Sequence, residues 1–350
     1  MKAISDKEAD KEAKIIPIRF TYHVASWILM GAALVVILAL RLVPALLAGL
    51  LVFYLVNTLA GAVRIPYFTN RHAKLFFVAL IAIIVVAALT LIGVGVGVFL
   101  RRGPENLSAM FTQIAYIVHD LRHILPDVVV DYLPPDADGI KELIASWFHQ
   151  HAAQIRTIGT DTLRALLQVL IGLIIGAMIA LHKATPHTHS SPFVRALSLR
   201  AERLAKAFRN IMVAQVPISA INTTLTAIYL AAVLPYLSIE LPFTKALILV
   251  TFIAGLLPVV GNLISNTAIF LVSLGHSFGL AAASLAYLVV IHKLEYFLNA
   301  RIVGTRINAK AWELLITMLV LEVAFGLQGL IAAPLLYAYI KHELMQEALV

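Results

Sequence analysis

Glu322 stands in MLVLEVAFG, where an ionised carboxylate is costly unless it is protonated, paired or wetted. Those are the properties of a group that couples protons or cations to transport. The structural alternative is a hydrogen bond, or an ion pair with a residue such as Lys245 or Arg306. A second constellation is GLLPVVGN, from Gly255 to Asn262. Pro258 removes a backbone donor, and Gly255 and Gly261 relax the helix, so amides and carbonyls freed near Asn262 could face a substrate or cation. Asn262 and Asn266 add polar groups at (i, i+4), on one helix face; a plain helix-helix turn is the bland alternative. Gly326, Gly329 and Pro334 form a partner break in FGLQGLIAAP, where small residues equally suit close packing.

Secondary candidates surround these two. Asn222 and Thr223, with Thr224 and Thr226, make a polar patch that either lines a path or satisfies neighbouring helices. Glu295 follows Lys293, which suits snorkelling or a local ion pair at a membrane boundary. Arg301 and Arg306 lie in the basic stretch that follows. The glycine pairs Gly172/Gly176 and Gly93/Gly95/Gly97 are explained by helix packing.

Enzymatic chemistry is not expected. The chain has no cysteine, which excludes disulfides, thiolate metal sites and a cysteine nucleophile. His-Glu-x-x-His and phosphate-binding glycine loops do not occur. His182, His187 and His189 in KATPHTHSSP have no carboxylate or thiolate beside them, so a solvated loop accounts for them, and neither metal nor other cofactor is expected.

The elements that must hold these residues are helices in lipid. Hydrophobic residues make up 61% and charged residues 13%, against roughly 45–50% and about 25% in a soluble domain. Apolar blocks fall near 20–40, 44–62, 75–100, 162–181, 211–234, 245–274, 280–298 and 312–340, close to or beyond the ~20 residues of a spanning helix. Backbone groups in lipid must be satisfied internally, and the alternation of a β-barrel is missing, so the fold is all-α.

The net charge of +8 fits the positive-inside rule better than nucleic-acid binding. Lys2, Lys7, Lys11, Lys14 and Arg19 place the N-terminal tail inside, and Arg195, Arg200, Arg203, Lys206 and Arg209 place a central loop there too. These last five alternate with Val194, Leu197, Leu204, Phe208 and Ile211 and are expected to contact anionic membrane lipid.

The block at 245–274 is broken at its middle. If it enters and leaves on one side, Arg301 and Arg306 stay inside, so charge favours a re-entrant hairpin. The block at 312–340 has a similar break and enters from the opposite face. The expected polytopic architecture is a cytoplasmic tail at 1–19 and one transmembrane domain at 20–350. That domain has about six full spans, two opposed re-entrant hairpins and a helical extramembrane insertion at about 103–160. Both termini are expected in the cytoplasm of a bacterial-type inner membrane. Opposed interrupted segments point to a transporter with inverted repeats.

The same second half carries a family resemblance. GLLPVVGNLIS resembles the Pro-x-x-Gly element of the AI-2E family, RIVGTRINAKAWELL its basic Arg-x-x-Gly stretch, and FGLQGLIAAPLLY its closing Gly-x-x-Gly…Ala-x-Pro element. Order and spacing match over nearly the whole chain. Ala300 stands where the family often has Pro before the basic stretch, and Asn262 where a second Pro often follows Gly261. The resemblance implies a secondary transporter of a small solute such as autoinducer-2, in a family with members linked to sodium/proton exchange and reported to form homo-oligomers, as pentamers. The expected mechanism is alternating access, with the substrate path between the hairpins and Glu322 coupling an ion. The alternatives are a monovalent cation/proton antiporter, and a passive channel or membrane scaffold.

Overall fold

The computed structural model describes residues 2–62, 70–101, 139, 142, 146–147, 149–182, 191–256, 260–277, 279–291, 293 and 310–346. Helices are the regular elements among them. They are α1 (Lys2–Ala39), α2 (Val43–Ala62), α3 (Asn70–Arg101), α4 (Ala152–Leu181), α5 (Pro192–Ile228), α6 (Thr244–Gly255), α7 (Val260–His276), α8 (Gly279–Ile291), α9 (Ala311–Phe325) and α10 (Leu327–Gln346). Beyond Ile228, α5 runs on through a π-helical turn, Tyr229–Val233, to Tyr236.

Five stretches are long and apolar enough to cross a membrane: Thr21–Ala39, Val43–Ala62, Arg71–Thr90, Ala152–Leu181 and Pro192–Tyr236. Their large side chains face outward, with Ile83, Ile174 and Met178 at 65%, 60% and 66% exposure. Lipid is the solvent that such surfaces require. The sixth expected span corresponds to α8, and most of the rest of its block lies outside the described residues. The same holds for most of the insertion expected at about 103–160.

The two interrupted blocks are hairpins. α6 has 12 residues and α9 has 15, about 18 and 22 Å of helix against a hydrocarbon core of ~30 Å, so neither crosses alone. Each instead packs on the helix after it, α6 on α7 and α9 on α10. A glycine at the start of each second arm allows this. A Cβ on Gly261 would sit 2.0 Å from the Ala254 carbonyl oxygen, and one on Gly329 would sit 1.9 Å from that of Leu321. At the α9–α10 turn Gly326 adopts φ +65°, which an L side chain rarely takes. At the open end of this hairpin the Glu313 carboxylate accepts from the Lys341 Nζ at 2.8 Å and from the Tyr337 hydroxyl.

α2 and α4 make the closest crossing between spans. A Cβ on Gly172 would meet the Ala45 carbonyl oxygen at 2.1 Å, and one on Gly176 that of Gly49 at 2.2 Å. Ala45-xxx-Gly49 therefore lies in register with Gly172-xxx-Gly176, and the helices run parallel, as small-residue pairs allow. Parallel crossing requires both to traverse the membrane in the same direction, which is the topology that the charges of the loops dictate. Lys74, entering α3, donates to the Ala180 carbonyl at the end of α4 (3.0 Å), one of the acceptors left open at a helix C-terminus.

α5 joins the remaining parts. Its first half packs with α1, α2 and α10 around Leu34, Leu38, Val43, Phe208, Ile211 and Leu336. Its outer end packs with α6, α7 and α8 around Tyr229, Leu230, Leu247, Ile269 and Leu288. One long helix thus carries both hairpins.

Candidate functional site

α5 starts at an N-cap formed by Ser191, with Pro192 in the first turn, where a missing N–H costs nothing. Further along, its buried polar side chains recur at Ser219, Asn222, Thr226 and Tyr229, at i, i+3, i+7 and i+10, which is one helix face. That face meets the first hairpin and α8. Ser219 Oγ donates to the Phe252 carbonyl at 2.7 Å, and Gly255 leaves the room, since a Cβ there would lie 2.6 Å from Ser219 Oγ. One turn on, Asn222 Nδ2 donates to Asn262 Oδ1 at 3.2 Å. Higher still, the Tyr229 hydroxyl and Ser284 Oγ are 2.9 Å apart, Ser284 Oγ is 2.9 Å from Ser273 Oγ, and the Tyr287 hydroxyl donates to the Leu225 carbonyl at 2.9 Å.

The result is a track of hydroxyl and amide groups that holds no charged side chain among the described residues. Two of its oxygens, Thr223 Oγ1 and Thr226 Oγ1, are buried and have no hydrogen-bond partner among the described residues. A buried hydroxyl left so costs about 1–3 kcal/mol, and such groups are rare in packed interiors. What the track can do chemically is hold a small molecule by neutral hydrogen bonds, or a cation by neutral oxygens.

The fold brings together Gly255, Gly261, Asn262, Asn222 and Thr223 of the residues singled out in the sequence. Asn266 follows Asn262 one turn along α7, half-buried and also engaged by a polar neighbour. Pro258, Glu295, Arg301 and Arg306 lie outside the described residues. Gly326, Gly329, Pro334 and Glu322 belong to the second hairpin, whose α10 arm packs on α5 away from this face, among the residues of its first half. Glu322 is exposed on α9 and does not pair with Lys245. Ser219, Tyr229, Ser265, Ser273, Ser284 and Tyr287 were not among the sequence candidates. Counting back three and forward seven from Asn222 finds Ser219 and Tyr229. The same count forward from Asn262 and Asn266 finds Ser265 and Ser273 of α7, whereas Ser284 of α8 carries no such signal.

The lipid-facing cations need a correction. Arg195, Lys206 and Arg209 are exposed, but Arg200 is 1% exposed and Arg203 also turns inward. Arg200 pairs with Glu343 of α10, and Arg203 Nη1 lies 2.5 Å from the same carboxylate oxygen. The Arg200 guanidinium also stands 5.1 Å over the Trp27 ring and 3.4 Å from His23 Nδ1. The reason is helical phase: Arg200 is four residues before Leu204 and so lies on the buried face.

Long helices clothed in apolar side chains, two half-length hairpins and an uncharged polar track inside the bundle define a polytopic helical protein of the membrane-transporter class. The chain belongs to the AI-2E family, for the model of the AI-2E family transporter matches residues 23–347. A search of curated proteins finds no match.

Proposed function

We propose that this AI-2E protein is a secondary transporter that moves a small, uncharged polar solute, autoinducer-2-like in its hydroxyl content, by alternating access. The pair of buried threonine hydroxyls at Thr223 and Thr226, unpartnered in a track without charge, is the observation that carries this reading. A hydroxylated solute would complete their hydrogen bonds, and Asn222 and Asn262 would orient it. The glycine-tight hairpin α6–α7 is the element that moves over the solute. Gly326, Gly329 and Pro334 shape the second hairpin, which presents Glu322 to the coupling ion. In this reading the protein is a homo-oligomer, a pentamer, of a bacterial inner membrane, with both termini cytoplasmic, a tail at 1–19, an extramembrane insertion at about 103–160, and Arg195, Lys206 and Arg209 on anionic lipid.

A second reading, monovalent cation/proton exchange, is favoured by Glu322, a carboxylate within an apolar helix. Reconstitution in liposomes separates the two. Uptake of autoinducer-2 and of sodium is measured under an imposed pH gradient, with wild type beside Glu322→Gln and Asn222→Leu. Solute uptake that is lost in Asn222→Leu supports the first reading, and gradient-driven sodium flux lost in Glu322→Gln supports the second. If neither solute moves, or both leak equally without a gradient, carrier function for these solutes is overturned.

A further inference from the structure

We infer that Tyr229 and Tyr287 form the gate that closes the polar track at the C-terminal end of α5. The inference rests on the track being the solute path, and it assigns two residues to controlling entry into it. The two rings are stacked, with centroids 4.1 Å apart and planes inclined by 14°. Tyr229 is 5% exposed and sits three residues beyond Thr226, on the same helix face, at the end of the track nearer the C-terminus of α5. Tyr287 reaches across from α8 and donates to the carbonyl of Leu225, the residue just before Thr226. Each ring is held by its own hydroxyl, Tyr229 through Ser284 and Ser273, Tyr287 through the α5 backbone. A closed pair with a separate tether on each half can part by releasing one bond at a time.

The backbone supplies the means. The π-helical turn Tyr229–Val233 begins at the first gate residue. A π-turn holds one residue more than an α-helical turn, and returning it to α-geometry rotates neighbouring side chains about the helix axis. Tyr229 can therefore swing from Tyr287 while α5 stays helical.

The chain contains no cysteine, so Thr226→Cys introduces one thiol directly beneath the stack. In oriented proteoliposomes, the rate of its modification by a charged, membrane-impermeant methanethiosulfonate is measured from each side. With both tyrosines present the rate is slow. Adding Tyr287→Ala raises it about tenfold from the side of the α5 C-terminal end, the population change expected when an aromatic pair of ordinary strength is lost, and leaves the other side unchanged. Tyr287→Phe keeps the ring and loses the tether to Leu225, so it raises the rate by less. An unchanged rate in Tyr287→Ala, or equal acceleration from both sides, overturns the gate. Size-exclusion profiles check folding, and if the alanine variant fails there, Tyr287→Leu beside Tyr287→Phe gives the same comparison. Labelling reads access and not flux. Gated labelling in a protein that transports none of the tested solutes would overturn the solute assignment and leave the gate standing.

Discussion

Glu343→Gln is the most exacting test of the packing. The glutamine keeps the shape of the carboxylate and removes its charge, taking from Arg200, 1% exposed, and from Arg203 the carboxylate that they share. Breaking a buried pair in this way costs about 3–5 kcal/mol, roughly two to three and a half orders of magnitude in the folded-to-unfolded ratio. Thermal and denaturant unfolding in detergent, followed by tryptophan fluorescence, reads it directly, because Trp27 lies under the Arg200 guanidinium. The triple replacement Arg200→Met, Arg203→Leu, Glu343→Leu removes all three charges and keeps the volume, so it should recover most of the loss, as apolar substitutes for buried ion pairs do. A loss below about 1 kcal/mol in Glu343→Gln would place the cluster with solvated surface pairs and refute the reasoning. So would a triple variant no more stable than the single one.

Three further outcomes follow from the geometry. Thr226→Val deletes a buried hydroxyl without a partner and keeps the shape, so stability should rise, by up to about 1–3 kcal/mol, while solute uptake falls. A parallel fall in both would mean that the hydroxyl serves the fold. Gly176→Val drives a side chain into the Gly49 carbonyl and should sharply lower the yield of folded protein, whereas Gly93→Ala meets nothing within 4 Å and should be neutral or stabilise by up to about 1 kcal/mol; melting curves of the two compare them. Gly329→Ala, which collides with the Leu321 carbonyl, should spread the second hairpin, seen as a melting temperature below that of Gly93→Ala.

The helices, the hairpin breaks and the core of the polar patch were legible because each is set by local properties: block length against membrane thickness, glycine against a close approach, polar groups against an apolar run. Asn222, Thr223 and Asn262 stood out as polar groups in apolar runs. Ser273, Ser284, Tyr229 and Tyr287 did not, since hydroxyls are common in membrane helices and only the packing of α5, α7 and α8 shows that the first three meet and that the Tyr287 ring stacks on Tyr229. The glycines of α3 and α4 looked alike in the sequence. They differ because Gly172 and Gly176 found a partner in Ala45 and Gly49, whereas Gly93 faces open space. Arg200 was hidden by its neighbours: five cations in one stretch suggest a surface, and the Glu343 that meets it and Arg203 lies 143 residues from Arg200.

That separation has a temporal side. Synthesis proceeds at about 5–20 residues per second, so roughly 7–30 s pass between the appearance of Arg200 and that of Glu343. For that interval the nascent protein holds two cations on the face that is to become its interior, without the carboxylate that they share in the finished fold. They can rest at the lipid boundary, where their long side chains reach phosphate. Docking of α10 then draws them inward in one late step. A chain that stops short of Glu343 keeps both cations at that boundary, the mark of an unfinished bundle.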